Sequence, residues 1–579
     1  MRKVSILLLI ATAWFATSCA VKPIDIEKLR QDFIGSALAL SPINATQIGF
    51  HRYQEVNLDD ILDDYSERGV QGMRIFLNTM HVDVGRMDSS KLDTGTRVDL
   101  DLIRKYCEAQ LLDLDKIQTY KHNPTMYVEL IGAAINAPFT LNYEPEEKRF
   151  GHIIARMEKI PAFLNTAKSN LVNAPEIWNK VAQQENQGNI DLIDHEIRAK
   201  VPPALKSSYD AAAAKAVTAL KSFNSWLENV LSRHPGDWRL GHDLYAQEFK
   251  YALANGETPE QTLAAAETKL DEIRRNMQRQ AGKLWPKYYP GKPEPKDLNG
   301  LVSAVLDKIA KQHAAPDQFF DSAKADLSEA TQFVKTHDIL PLPKGGHLEV
   351  IPTPEFMRGV YGVGGFQPAP PLEPKLGAFF WITPITPDMP KADVESKLRE
   401  YNRWGLQTLV IHEAMPGHWV QFQYANAVQP QSRAVLREML ASNPYVEGWA
   451  VYATQVMIDE GYEASPEMTL TFEKQMLRVV ANTILDVKMQ TQGMTDQQAL
   501  DLMIHQTFQE RQEAVAKVQR AKLTACQLPT YFVGWQAWLR LRDAYKKKNG
   551  SNFNLSRFHE RALQEGSVPM ATLSKLMLR

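Results

Sequence analysis

The chain has 579 residues, 44% of them hydrophobic, which is ample for a large core and typical in length of three or four domains. Its formal net charge is −2, and no basic stripe with interleaved aromatic residues is present, so nucleic acid is not an expected partner. Three cysteines are too few for a disulfide framework. Beyond the N-terminal segment, no apolar run reaches about 18 residues, so no membrane-spanning helix is expected.

The N-terminus has the pattern of a bacterial export signal. A short basic start precedes the apolar run 4–16, which is too short to span a bilayer. We assign residues 1–18 to a signal peptide that ends at Cys19, placed like the lipidated cysteine of bacterial lipoproteins. The alternative is ordinary cleavage after Ala20, and both interpretations export the protein. Because no aspartate follows the cysteine, we expect a lipid anchor in the outer membrane, on the periplasmic side, as the only membrane contact.

From residue 24 to 340 the sequence predicts successive amphipathic helices. Apolar residues between Leu205 and Leu231 recur at helical spacing, as do those between Leu263 and Met277. A capping box at Thr258 introduces the second of these helices. The proline-rich stretch 285–297 predicts a loop. We interpret the apolar stripes as core, and 24–340 as an N-terminal helical region.

The sequence changes character at residues 338–391, which are rich in proline and glycine. Two β-prone runs, HLEVI (347–351) and AFFWI (378–382), predict strands of one small sheet. After residue 390 the helical pattern returns, with one long helix between Ser465 and Gly493. The predicted fold class is therefore mainly α, a large multi-helix protein with one small β-sheet just before the motif described next.

The motif HEAMPGH (412–418) follows the apolar run TLVI. It resembles the zinc motif H-E-x-x-H, but positions i and i+6 of a regular helix lie roughly 120° apart around its axis. Pro416 cannot donate to the carbonyl of His412, and Gly417 tolerates unusual backbone angles. The pair predicts a bulge or kink that brings His418 back toward His412.

Zinc in a catalytic site takes three protein ligands and leaves a fourth position to water. Glu447, in apolar surroundings on a later helix, is the preferred third ligand, because a buried carboxylate is costly unless it is paired or binds a metal. Glu438 is the alternative, although its helix face has a solvated pattern. Glu413 follows His412 directly and points elsewhere. It is therefore predicted to act as the general base that takes a proton from the attacking water.

HEAMPGHWVQ together with EGWAVY resembles the bacterial family catalogued as domain of unknown function 885, which consists of zincin-like proteins, many of them lipoproteins. The likeness extends over most of the mature chain. It implies His412, His418 and Glu447 as metal ligands and Glu413 as general base. It further implies a mostly helical, zincin-like metallopeptidase fold with a deep channel.

The resemblance indicates two further candidate site residues, and at two positions this sequence differs from the family pattern. Tyr531, in QLPTYFVG, matches a family tyrosine and is a candidate for stabilising the oxyanion, with core packing as the alternative. Arg520 is a candidate for binding a substrate carboxylate, with a surface ion pair as the alternative. Asn482 and Gln490 stand where the family usually carries arginine and histidine, a difference that bears on specificity and activity.

The function predicted for region 341–579 is that of a zinc metallopeptidase acting on peptides. The alternative is a metal-stabilised, non-catalytic lipoprotein that binds peptides or cell-envelope fragments. Peptides commonly bind proteases in extended form along a sheet edge. We therefore expect the strand AFFWI to pair with the substrate backbone, with Phe379 or Trp381 packing on its side chains.

Overall fold

A computed structural model describes residues 25–354, 357–358 and 362–579. The predicted signal peptide and Cys19 lie outside the described residues. The chain is mainly helical with small sheets, so the mainly-α fold class is confirmed. In the part of the chain that the structure describes, no helix has the length and apolar character needed to cross a bilayer.

The chain forms two compact units, neither of them continuous in sequence. The first contains the described residues up to Gly236, with Pro370–Leu376 and Val428–Leu440; the second contains Asp237–Ala369, Gly377–Ala427 and Ala441–Arg579. These bounds differ from the regions 24–340 and 341–579, whose functional division stays a prediction.

The first unit is a set of helices around an apolar core that includes Phe33, Leu38, Ile103 and Cys107. Buried Asp99 explains why the segment 428–440 belongs to this unit. Its carboxylate accepts hydrogen bonds from Arg433 (2.8 Å) and Arg437 (3.0 Å). The helices are Ile26–Leu40, Pro42–Ile48, Glu67–Gly85, Thr94–Leu112, Thr119–His122, Pro124–Thr140, Glu146–Met157, Ile160–Asn170, Glu176–Asp191, Lys206–Asn229 and Gln431–Met439.

The second unit contains the HEAMPGH motif. Its helices are Gly241–Leu253, Pro259–Tyr288, Leu298–Ala310, Phe319–Thr336, Lys391–Glu400, Arg403–Glu413, His418–Asn426, Asn443–Asp459, Pro466–Thr491, Asp496–Asp501, Arg511–Leu523, Pro529–Asn549, Leu555–Leu563 and Met570–Met577. The capping box at Thr258 is present, and Ser465 caps the long helix that was predicted to start there. The loop predicted from residue 285 is wrong in its first residues, because the helix continues through Pro286 to Tyr288.

Two small sheets are present among the described residues, so the expectation of a single sheet is wrong. In the first unit, β1 (Arg52–Tyr53) pairs antiparallel with β2 (Val56–Asn57). The second unit has a three-stranded sheet of β3 (Leu348–Pro352), β4 (Gly364–Gln367) and β5 (Ala378–Ile382). β5 lies in the middle, parallel to β3 and antiparallel to β4.

The central place of β5 corrects the expected mode of substrate binding. Both edges of this strand, AFFWI, already pair with neighbouring strands. Its backbone groups are therefore engaged in the sheet, and the prediction that β5 pairs with a peptide substrate is wrong. The short apolar run was compatible with an edge strand or an internal strand, and periodicity does not distinguish the two.

Candidate metal centre

The HEAMPGH segment breaks its helix completely, where a bulge or kink was predicted. The His412 helix (Arg403–Glu413) ends at Glu413, and the His418 helix (His418–Asn426) begins after four intervening residues. The Ala414 N–H still donates a hydrogen bond to the Val410 carbonyl (2.9 Å), and the Gly417 N–H donates to the Ile411 carbonyl (2.9 Å). Pro416 has no N–H with which to continue the helix. The resulting tight turn returns His418 to the side of His412.

Gly417 is required because backbone approaches backbone within this turn. A Cβ there would lie well under 3.0 Å from the carbonyl oxygens of His412 and Ile411. The turn is also held from outside, since the buried indole N–H of Trp449 donates to the Pro416 carbonyl (2.9 Å).

Gly417→Ala is expected to displace His418 and to lower zinc affinity by about 10–100-fold, the range seen when groups that orient metal ligands are lost. Overpacking should also lower stability by about 1–3 kcal/mol. Competition with a chromophoric chelator and thermal unfolding measure the two effects. Gly151→Ala is the matched control, because its Cβ would meet nothing within 4 Å. Equal zinc affinity in Gly417→Ala and wild type would show that the turn does not position the ligand.

Glu447 and Tyr531 are brought together by a close crossing of two helices. The Glu447 helix (Asn443–Asp459) packs on the Tyr531 helix (Pro529–Asn549) at a pair of glycines. A Cβ at Gly448 would collide with the backbone of Gly534, and one at Gly534 would collide with the Pro444 carbonyl. Backbone contact at these glycines holds Glu447 and Tyr531 on adjoining helices at the same site.

The three predicted ligands converge. The Nε2 atoms of His412 and His418 each lie 3.5 Å from Glu447 Oε2, and one ligand atom from each residue lies within 4.8 Å of the others. Two atoms about 2.1 Å from a shared tetrahedral zinc would lie about 3.4 Å apart. Glu447 Oε2 is buried and has no hydrogen-bond partner. Two imidazoles and an otherwise unsatisfied carboxylate oxygen at this spacing fit a zinc ion.

Electrostatics couple these groups. Burial alone would raise the pKa of Glu447, but the imidazoles of His412 and His418 hold it well below its usual range. Burial lowers the pKa of His418, yet Glu447 and Glu413 raise it above the ordinary value. Glu438, the other ligand considered, is outside the cluster. Its side chain is half-buried, with Oε2 inaccessible, so the solvated face expected for it is wrong.

A cavity of about 270 Å³ opens beside the ligands. His412, Glu413 and Tyr531 line it. The Tyr531 ring stacks near the His412 imidazole, with centroids 6.2 Å apart. Burial, reinforced by the charge of Glu447, raises the pKa of Tyr531, so its hydroxyl keeps its proton and can donate it in a hydrogen bond. The predicted base and the predicted oxyanion donor thus face one space.

Arg520 also lines this cavity, together with charged residues that sequence reasoning missed. These are Arg478, Glu513 and Lys517, from the Arg478 helix (Pro466–Thr491) and the Lys517 helix (Arg511–Leu523). Lys517 and Arg520 are three positions apart and therefore share a helix face. That spacing was a signal from which Lys517 could have been found.

The two departures from the family pattern have different surroundings. Asn482 lines the cavity, one helical turn after Arg478, and its buried Oδ1 has no hydrogen-bond partner. Gln490 lies outside the cavity lining, where its side chain accepts from the Leu240 N–H (2.9 Å) and donates to the Thr524 carbonyl (3.5 Å). Asn482 therefore faces the space beside the candidate metal ligands, whereas Gln490 supports the fold.

Phe379 and Trp381 are absent from the lining of the described cavity, and Trp381 is buried within the sheet. The strand near the site is instead β4, at one edge of the sheet. Its Gly364 lines the cavity, and the Phe366 ring lies 6.2 Å from that of His418. The sheet was correctly expected beside the metal motif, but a different strand faces it.

With this geometry in place, comparison with known proteins identifies the family. The family model described as bacterial protein of unknown function (DUF885) matches residues 42–577. The chain belongs to the DUF885 family. The predicted family is thereby confirmed, and the match covers both units of this DUF885 protein.

Two solved structures resemble this DUF885 protein over nearly its whole length. One, described as a candidate lipoprotein of unknown function from Shewanella oneidensis, is 30% identical, with a TM-score of 0.80, covering 96% of this chain and all of its own. The other, a candidate lipoprotein from Colwellia psychrerythraea, is 19% identical, with a TM-score of 0.78, covering 95% of this chain and 97% of its own. The second likeness shows the fold alone. No protein with a curated description matches the chain.

Proposed function

We propose that this DUF885 protein is an exported, zincin-like, zinc-dependent metallopeptidase that hydrolyses peptide bonds with a water molecule. One observation carries the proposal. Two imidazole nitrogens lie 3.5 Å from the otherwise unsatisfied Glu447 Oε2, beside a cavity lined by Glu413. A site that only stabilised the fold would be closed by a fourth protein ligand, whereas three ligands beside a cavity suit a catalytic metal.

Zinc held by His412, His418 and Glu447 would act as a Lewis acid and lower the pKa of water. Within the cavity, the Glu413 carboxylate accepts a proton from the attacking water and later delivers it to the leaving amine. The Tyr531 hydroxyl donates a hydrogen bond to the oxygen that gains negative charge on the substrate carbonyl. The edge strand β4, which contributes Gly364 to the cavity, replaces β5 as the candidate for pairing with the peptide backbone.

The proposal is tested by metal analysis of the purified soluble form and by a cleavage screen with a peptide library. We expect about one equivalent of zinc and peptide products that disappear after chelation and return with added zinc. The competing function is a non-catalytic lipoprotein that binds peptides or envelope fragments. Stoichiometric zinc and peptide binding, without any turnover across the library, would favour that function and overturn the peptidase.

We also propose that the protein is a lipoprotein of the cell envelope, anchored through Cys19. The support is the position of Cys19 after the apolar run and the description of both solved relatives as candidate lipoproteins. Ala20, which follows the cysteine, fits a lipoprotein of the outer membrane.

Cys19→Ser is expected to abolish lipidation, so that the full-length protein moves from the membrane fraction to the soluble fraction. Stable anchoring takes two membrane signals, such as two acyl chains, and this variant lacks the cysteine that would carry the lipid. Fractionation followed by immunoblotting measures the change, with Cys107→Ser as the control because Cys107 is a buried thiol of the mature protein. A Cys19→Ser protein that remained in the membrane fraction would contradict the assignment.

A further inference from the structure

The cavity beside the metal ligands carries an excess of positive charge. Among the described residues, its lining contains three cationic side chains, Arg478, Lys517 and Arg520, and two carboxylates, Glu413 and Glu513. Metal ligands and these cations therefore belong to one space. Within the described lining, cations outnumber carboxylates by one, and this favours an anionic group on whatever enters.

Arg478 and Glu513 form a pair that anchors this charged wall. Arg478 Nη1 lies 3.2 Å from Glu513 Oε1 and 3.6 Å from Glu400 Oε1. The Tyr401 hydroxyl joins them, donating to Glu513 Oε2 at 3.3 Å. Arg478 is therefore paired with acids, and Lys517 and Arg520 are the other two cations among the described lining residues.

Lys517 has no close ionic partner among the described residues of the cavity. Its nearest carboxylate oxygen, Glu513 Oε1, lies 3.9 Å from Nζ, and no described residue hydrogen-bonds the ammonium group. The pKa of Lys517 is lowered to about 8: burial is the largest cause, Glu513 opposes it, and the guanidinium groups of Arg520 and Arg478 add to the lowering. An anion placed beside the ammonium group would favour its charged form.

Asn482 adds an independent sign that a ligand is expected. Its side chain is 3% exposed, and its Oδ1 is buried in the cavity lining without a hydrogen-bond partner. An unsatisfied buried acceptor is costly, so such a group calls for a donor. A peptide N–H close to the anionic group would supply one.

We propose that Lys517 and Arg520 form a carboxylate subsite, which selects peptides with a carboxylate directly after the bond to be cleaved. This inference rests on the proposed peptidase function and adds its substrate class. The carboxylate is either the free C-terminus, as in removal of C-terminal residues, or an acidic side chain. The cavity, at about 270 Å³, is smaller than the roughly 300–1,000 Å³ of typical ligand pockets, and so suits a short stretch of peptide.

The first test compares matched peptides on the wild-type protein and needs no variant of the subsite. One pair has the same sequence with a C-terminal carboxylate or carboxamide. A second pair ends in a carboxamide and carries glutamate or glutamine as the last residue. We expect the carboxylate member of at least one pair to be cleaved about tenfold or more faster at low concentration, as hydrogen bonds to charged groups predict. The pair that shows the effect identifies the source of the carboxylate.

The second test compares Lys517→Gln with Arg511→Gln, an exposed position on the same helix. Lys517→Gln should remove most of the preference by raising KM for the carboxylate peptide, with little change in kcat and in thermal unfolding. Arg511→Gln should behave as wild type. A merely structural lysine would lower thermal stability or affect both members of each pair equally.

Binding separates this inference from the peptidase itself. Calorimetry with zinc-loaded Glu413→Gln protein measures the affinity for each peptide without turnover. Carboxylate-selective binding without hydrolysis by wild type would uphold the subsite and overturn the peptidase. Hydrolysis with equal binding and cleavage of both members of each pair would overturn the subsite and leave the peptidase standing.

Discussion

His418→Ala protein is expected to retain less than about one tenth of an equivalent of zinc and to hydrolyse no peptide, because two ligands do not hold the metal at neutral pH. His418 is buried, and its Nε2 faces Glu447 Oε2 at 3.5 Å, so no other described side chain is placed to substitute for it. Elemental analysis after gel filtration measures the zinc, and the peptide library measures hydrolysis.

The control for this variant is His234→Ala, which removes an exposed histidine of the first unit. It should keep wild-type zinc and wild-type hydrolysis. Circular dichroism distinguishes loss of the ligand from loss of the fold. A folded His418→Ala protein with full zinc occupancy would rule out the ligand set of His412, His418 and Glu447.

Glu413→Gln protein is expected to hold zinc as wild type does and to lose hydrolysis by about 10²–10⁴-fold, the usual contribution of a general base. The carboxamide is nearly the same size and still lines the cavity, but it cannot accept the proton of the attacking water. Glu413 is not one of the clustered ligand residues, so its replacement should leave the metal in place. Zinc content and kcat, measured on one preparation, give both results.

Glu460→Gln, an exposed change on the surface, serves as the control for charge removal. It should alter neither zinc nor kcat. If Glu413→Gln hydrolysed peptides at the wild-type rate, another group would have to take the proton. If wild type and Glu413→Gln both bound peptides without cleaving them, the protein would be the non-catalytic lipoprotein.

The strand β5, which was expected to bind substrate, shows how a sequence pattern can be misinterpreted. The run AFFWI has the composition of a strand and precedes the metal motif, and both features were interpreted correctly. Its place in the sheet is a matter of which chain segments lie beside it, and β3 and β4 cover both its edges. The glycine-rich β4 has little side-chain pattern of its own, so no periodicity indicated that it would form the edge beside the cavity.

The cations that line the cavity are a second case in which sequence patterns did not reveal the site. Arg478 and Lys517 look like ordinary helix charges in the sequence, since lysine and arginine usually lie on a solvated face. The helices that carry them follow His412 at a long distance in sequence, and the fold brings all three residues to one cavity. Asn482 was noticed because it departs from the family pattern, but its unsatisfied oxygen becomes visible only with the surrounding side chains in place.

The sequence by itself determined what is local: most of the helices and their caps, an interruption of the helix at Pro416 and Gly417, and residue types that suit a metal site. These follow from backbone geometry and from the preferences of single side chains, which act over a few neighbouring residues. Only the tertiary structure decided which groups meet. The backbone contact of Gly448 with Gly534 sets Glu447 beside Tyr531, and packing of the two histidine helices on the Glu447 helix completes the cluster. Helix packing also gathers the cations around the cavity. Such meetings depend on the packing of segments far apart in sequence, which periodicity does not encode.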